Sequence, residues 1–100
     1  MAKSIIWTSS AQNDRKAIFR YWNKRNKSNL YSQKLNQFFK TQLKAVSYNP
    51  KIGVKTKYNN VRVITIRDYQ IFYLVATEIK VITIWDTRMN PDKLESNINR

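Results

Sequence analysis

The residues best suited to chemistry are basic side chains that recur beside apolar, β-branched segments of the C-terminal half. Arg62, Arg67, Lys80 and Arg88 each stand where such a segment begins or ends within the stretch 61–91. Arginine can bind a phosphate or a carboxylate through two parallel N–H donors, and lysine can do so as a point charge. This spacing predicts a surface that holds a polyanion.

A second basic group precedes the first of these segments. Lys55, Lys57 and Tyr58 lie close together in the stretch 51–60. Cations beside an aromatic ring suit the phosphates and the bases of a nucleic acid. We predict that these three residues, together with Lys80, contact nucleic acid.

Several kinds of chemistry are excluded because the sequence contains neither cysteine nor histidine. Disulfides, thiolate zinc sites and cysteine catalysis cannot occur, and the commonest general base is missing. The six carboxylates are scattered along the chain, so we expect no metal and no other cofactor. RNA cleavage by the 2′-hydroxyl would need another proton acceptor. A lysine could serve only if nearby cations lowered its pKa by about 3 from ~10.4.

The charge of the chain is strongly positive. Nineteen lysines and arginines stand against six acidic residues, which gives a formal net charge of +13. Such a charge favours nucleic acid or an acidic protein as a partner, although solubility alone would also explain it. Non-specific affinity for nucleic acid follows from the charge in any case, so the charge does not identify the target.

The length predicts a single domain over residues 1–100, with 92–100 as a polar tail. The chain begins without a signal-peptide pattern. No apolar segment approaches the ~20 residues that cross a bilayer. We therefore expect a cytoplasmic protein with no membrane partner.

The apolar pattern of the N-terminal half predicts a strand over 3–8 and then two helices. Ser9 and Gln12 fit a capping box that starts the first helix. The core-facing positions of this helix are predicted to be Ala11, Ile18, Tyr21 and Trp22. A polar connector over 23–27 should end it. The second helix is predicted over 30–46, with Ser28 as its cap and Asn49-Pro50 as its end.

The stretch 61–91 predicts three strands in a meander, broken at Asp68 and at 77–78. Residues 51–60 suit a loop or an irregular edge strand. This order of elements predicts an α+β fold. It begins with an N-terminal strand, and a helical hairpin then packs on one face of a mainly antiparallel sheet.

The order of elements and several motifs resemble the RelE/ParE family of toxins from bacterial type II toxin–antitoxin pairs. The matching motifs are IWTSSA (6–11), NP (49–50) followed by Gly53, VR (61–62), YQIFY (69–73) and IWDTRMNP (84–91). The resemblance covers residues 4–94. It implies a RelE-like fold and a cognate antitoxin, which we expect to be acidic because the chain is so basic.

The resemblance also implies one of two targets. RelE-type members enter the ribosomal A site and cut mRNA, whereas ParE-type members poison DNA gyrase, and the fold does not decide between them. The high charge favours the ribosome, where the chain would cleave or block mRNA. A gyrase poison without nuclease activity is the alternative, and an inactive toxin or a plain nucleic-acid-binding domain is a third.

The chain departs from the RelE-type nuclease pattern at several positions. The tyrosine matching Tyr69 is followed in that pattern by a catalytic arginine, and here by Gln70. The strand lysines of the pattern fall near Val63 and Thr65. Its C-terminal catalytic tyrosine falls near Leu94. Whether the chain is an enzyme therefore stays open.

Three arginines remain as catalytic candidates. Arg62 matches an arginine found in both branches, Arg88 matches a catalytic arginine of the C-terminal segment, and Arg67 lies between them in sequence. We predict that Arg62 and Arg88 converge on one cleft because both stand at strand ends. The alternatives are that Arg62 caps the polar face of the sheet and that Arg88 pairs with Asp86 or Asp92.

Overall fold

The computed structural model describes residues 2–88 and residue 98. Its elements in chain order are β1 (Ile5–Trp7), α1 (Ser9–Asn26), α2 (Leu30–Tyr48), one turn of 3-10 helix (Pro50–Ile52), β2 (Val54–Lys55), β3 (Val61–Ile66), β4 (Tyr69–Val75) and β5 (Ile79–Asp86). The strands form one sheet in the order β1-β5-β4-β3-β2. β1 pairs with β5 in parallel and the other neighbours are antiparallel. The predicted α+β fold is confirmed, and the tail predicted over 92–100 lies outside the described residues except for Ile98.

The sheet has two faces because successive side chains of a strand point to opposite sides. Ile71 and Tyr73 of β4 face the helices and are fully buried, whereas Phe72 between them faces the other side. The helix-facing core also contains Leu35 and Phe39 of α2. The outer face carries a smaller apolar cluster, which consists of Val61, Phe72 and Trp85 with Tyr58, Val63, Leu74, Ile82 and Ile98 packed against them.

The first helix differs from the prediction at both of its ends. Thr8, not Ser9, is the N-cap, and its hydroxyl accepts a hydrogen bond from the Ala11 N–H at 3.1 Å. The helix runs through the predicted connector to Asn26 and ends at Lys27, which has the left-handed φ of 51° typical of a helix terminus. Asn23 accepts a hydrogen bond from the Ser32 hydroxyl of α2, and the polar residues from 24 onwards are exposed, so none of them breaks the helix. Tyr21, predicted for the core, is 47% exposed.

The second helix largely follows the prediction. Ser28 accepts a hydrogen bond from the Leu30 N–H at 3.2 Å, although Asn29 is the residue that directly precedes the helix. Asn49 ends the helix, as predicted from the following proline. The stretch 51–60 contains the two-residue edge strand β2, which pairs with β3.

Asp14 of α1 joins this helix to β5. Its Oδ2 accepts hydrogen bonds from the Thr83 hydroxyl at 2.8 Å and from the Ile84 N–H at 3.1 Å. These two donors follow the place where the pairing of β4 with β5 shifts register. A single carboxylate oxygen thus accepts from one side-chain donor and one backbone donor of β5.

We expect Asp14→Ala to lower the free energy of unfolding by about 1–3 kcal/mol, because buried donors lose their acceptor. Glu78→Ala is the matched control, since it removes the same charge from an exposed turn. Urea denaturation of both variants measures the difference. Equal stability of the two variants would contradict a role for Asp14 in holding β5.

Candidate functional site

A basic cleft lies at the end of the sheet where β3 begins and β4 ends. It has a volume of about 870 Å³ and is bounded by the 3-10 turn, the stretch 55–62 and Val75. Four cationic side chains line it: Lys51, Lys55, Lys57 and Arg62. None of the described residues lining it is acidic. A concave surface with charge of one sign concentrates the opposite charge, so this cleft is suited to anions.

One wall of the cleft is held by hydrogen bonds from β3 and β4. The Tyr73 hydroxyl accepts from the Gly53 N–H and donates to the Pro50 carbonyl, both at 2.8 Å. The Arg62 guanidinium donates to the Gly53 carbonyl at 2.7 Å and to the Lys51 carbonyl at 3.4 Å. Burial raises the pKa of Tyr73, although the Gly53 N–H and the positive charge of Arg62 oppose the shift. The hydroxyl therefore stays protonated near neutrality.

The other wall is a short loop closed on itself by Thr56. Its hydroxyl donates to the Val61 carbonyl at 2.8 Å and accepts from the Tyr58 N–H at 3.2 Å. The Lys57 ammonium lies 5.4 Å from the centroid of the Tyr58 ring. That ring packs against the outer-face cluster, and its hydroxyl is buried without a hydrogen-bond partner among the described residues. The ring is thus mainly part of the cleft wall and not an open platform for a base.

A smaller groove of about 430 Å³ lies at the opposite end of the sheet, between α1 and the end of β5. Arg88 forms an ion pair there with Asp86, with Nη2–Oδ2 at 2.7 Å and Nε–Oδ1 at 2.9 Å. This contact lowers the pKa of Asp86 and raises that of Arg88. Arg88 thus binds Asp86, which is one of the two partners considered for it. Asp92 lies outside the described residues.

Tyr69, which matches the tyrosine of the RelE-type pattern, has its hydroxyl directed at the helices. The hydroxyl accepts from the Trp22 indole N–H at 2.8 Å, and the ring meets Phe39 edge-on at 6.2 Å. Burial raises the pKa of Tyr69, so this group also remains protonated near neutrality. The following residue, Gln70, pairs with Trp85 and therefore belongs to the outer face.

Arg67 occupies the two-residue turn between β3 and β4. Its φ of 57° is left-handed, as hairpin turns of this length require at one or both positions. The guanidinium carbon lies 4.9 Å from the centroid of the Phe38 ring on α2. The structure therefore places Arg67 at the same end of the sheet as Arg88, away from the basic cleft.

The prediction that Arg62 and Arg88 converge on one cleft is wrong. Arg62 pairs with Tyr73 near the start of β3, whereas Arg88 follows Asp86, which pairs with Tyr69 at the far end of the same sheet. The four residue-to-residue steps from 62 to 66 alone extend roughly 13 Å. Two strand ends converge only if they belong to the same end of the sheet.

The predicted site residues therefore divide among the basic cleft, the outer face, and the opposite end of the sheet, where Arg67 and Arg88 lie. The basic cleft contains Lys55, Lys57, Tyr58 and Arg62. Lys80 pairs with Leu74 and lies on the outer face, so it does not line the cleft. The roles assigned to all of these residues, including Arg67 and Arg88, stay predictions.

Sequence reasoning missed Lys51 and the contact between Gly53 and Tyr73. Gly53 is the only glycine of the chain. A Cβ on it would collide with the Tyr73 hydroxyl and lie 2.9 Å from two ring carbons. An isolated glycine in a basic stretch was the available signal, because such a residue often marks a close approach of the backbone to another group.

The described part of the chain lacks the groups of residues that bind a metal ion and the apolar helices that cross a membrane. No cluster of three or more carboxylate, cysteine or histidine side chains there could hold a metal ion. None of the described helices combines the length and the apolar character needed to cross a membrane.

Comparisons with known proteins identify relatives of this chain. Residues 5–91 match the family model described as "ParE toxin of type II toxin-antitoxin system, parDE". The structure is similar to a chain titled "Chromosomal ParDE TA system from P. aeruginosa", with a TM-score of 0.70 and 23% sequence identity, over 83% of this chain and 94% of that one. At this identity the likeness shows a shared fold. No protein with a curated description matches the sequence.

Proposed function

The chain belongs to the ParE toxin family of type II toxin–antitoxin systems, and from this premise we propose that it inhibits growth by binding DNA gyrase without cutting RNA. The observation that carries the proposal is the separation of the groups a nuclease would need. RNA cleavage requires a proton acceptor and clustered cations around one phosphate. Poisoning a protein machine requires only a binding surface.

The residues considered as catalytic lie apart from one another in the structure. The Arg62 guanidinium donates hydrogen bonds to backbone carbonyls at one end of the sheet, and the Arg88 guanidinium donates to Asp86 at the other end. Gln70 replaces the nuclease arginine and lies on the outer face. The buried tyrosines on the helix-facing side have raised pKa values, which makes them poor proton acceptors at neutral pH.

The basic cleft is the surface that we assign to target binding. Lys51 and Lys55 are exposed, and no described acidic residue lines the cleft to neutralise them. Such a cleft suits the acidic surface of a protein or the DNA held by it. The toxin would act in the cytoplasm, where gyrase works.

Ribosome binding is the second candidate function, and the net charge of +13 is the observation that favours it. Ribosomal RNA is a dense polyanion, so a protein this basic would bind it strongly at low salt. The same charge supports an acidic antitoxin as the neutralising partner. A disordered acidic segment could order itself on this surface as it binds.

The decisive experiment compares two activities of the purified chain. We expect inhibition of gyrase supercoiling and no cleavage of mRNA on translating ribosomes. Gln70→Arg should leave cleavage absent, because residue 70 lies on the outer face, near the end of the sheet opposite the basic cleft. Ribosome-dependent cleavage by the unmodified protein would overturn the proposal.

The same proposal makes a prediction in cells. Induction of the chain alone should stop growth, and co-expression of its antitoxin should restore it. A short acidic reading frame beside the gene is the expected source of that antitoxin. Normal growth during strong induction of folded protein would show that the chain is an inactive toxin.

A further inference from the structure

We propose that Arg62 is a positioning residue that, together with Tyr73, shapes the basic cleft and does not itself contact the target. The two side chains hold the segment 50–53, and we call this arrangement the Arg62–Tyr73 latch. The inference rests on the proposed function, since the cleft is the surface assigned to target binding. In this proposal Arg62, which matches an arginine found in both branches of the family, affects target binding only by holding the backbone of the segment 50–53.

The latch engages backbone groups on both sides of Gly53. Tyr73 binds the Gly53 N–H and the Pro50 carbonyl through one hydroxyl, and Arg62 binds the Gly53 carbonyl through Nη1. The Tyr73 side chain is fully buried. It therefore cannot reach a target, and its hydroxyl can influence binding only through the segment that it holds.

The lysine that follows this segment depends on it for its position. β2 begins at Val54, directly after Gly53, and consists of two residues. So short a strand contributes little pairing of its own. Lys55 lies opposite Arg62 in the register of β2 with β3. A shift of Gly53 would therefore move the Lys55 side chain relative to the other cations of the cleft.

The glycine supports this interpretation independently. Gly53 has φ −70° and ψ 157°, a conformation open to any residue, so its backbone does not require glycine. Glycine is required at this position for steric reasons, because a Cβ would collide with the Tyr73 hydroxyl. The chain thus has its only glycine where the tyrosine must reach the backbone.

Substitutions distinguish a positioning role from direct contact. Arg62→Lys keeps the positive charge but lacks the planar guanidinium whose Nη1 reaches both the Gly53 and the Lys51 carbonyls. Tyr73→Phe keeps the ring and removes only the hydroxyl. Tyr69→Phe is the matched control, since it removes the other buried hydroxyl of β4, which binds Trp22 at the far end of the sheet.

The experiment measures gyrase inhibition and the amide hydrogen exchange of Gly53 in the full chain. We expect Arg62→Lys and Tyr73→Phe to weaken inhibition by about tenfold or more and to speed exchange at Gly53, because each removes hydrogen bonds from the segment. Tyr69→Phe should change neither quantity. Thermal denaturation confirms that each variant compared is folded.

The outcomes separate the latch from the proposed target. Full inhibition by Tyr73→Phe, with rapid exchange at Gly53, would overturn the latch. Full inhibition by Arg62→Lys would do the same, since charge alone would then suffice. If the unmodified protein does not inhibit gyrase, the proposed target fails, and the same variants are compared for growth inhibition, where the latch predicts the same order.

Discussion

Reversing two charges of the basic cleft, with Lys51→Glu and Lys55→Glu together, should reduce growth inhibition and gyrase inhibition by about 100-fold or more. Like charges brought together at an interface cost several kcal/mol, and the double reversal makes the cleft repel the anions it is proposed to bind. Both side chains are exposed, so the fold should persist. Dose–response curves of gyrase supercoiling measure the loss.

The matched control is the pair Lys40→Glu and Lys44→Glu on α2. Both lysines are exposed, lie outside the cleft and change the net charge by the same amount. Inhibition should fall far less in this control. A similar loss in both double variants would show that overall charge, and not the cleft, determines binding.

Phe39→Ala should destabilise the protein by about 3–5 kcal/mol, a large part of the stability of a domain this size. Phe39 is fully buried between the helices and the sheet. Its ring stacks on Phe19 and meets Tyr69 edge-on, each at a centroid distance of 6.2 Å. Its removal would leave a cavity where α1, α2 and β4 meet.

The neighbouring residue provides the control for this prediction. Phe38 lies one position earlier on α2 and is only partly buried, and the Arg67 guanidinium packs over its ring. Phe38→Ala should therefore cost clearly less stability in urea denaturation. Equal losses at the two positions would contradict the assignment of Phe39 to the centre of the core.

Much of the fold was predictable because its signals are local. The β-branched residues of 61–86 and their brief interruptions predict three strands, and the structure has them at 61–66, 69–75 and 79–86. Asn49-Pro50 ends α2 because a proline restricts the residue before it. Neither property needs information from distant parts of the chain.

The errors lie where a distant contact competes with a local signal. Ser9 and Gln12 fit a capping box, but Thr8 caps the helix because β5 holds it there. The Thr8 N–H donates to the Val81 carbonyl at 3.1 Å, and its hydroxyl donates to the Ile82 carbonyl at 3.0 Å. More than 70 residues separate these partners, so no local pattern contains the contact.

The candidate site also depends partly on local signals, which the sequence contains, and partly on distant contacts, which it does not. Composition alone establishes a basic chain without histidine or cysteine, and the sequence identifies which cations stand at strand ends. Strand order and register decide at which end and on which face of the sheet each of these cations lies. They separate Arg62 from Arg88 and place Lys80 on the outer face. The tertiary structure alone brings Tyr73 to Gly53, because a side chain can select a backbone N–H 20 residues away only after the sheet has formed.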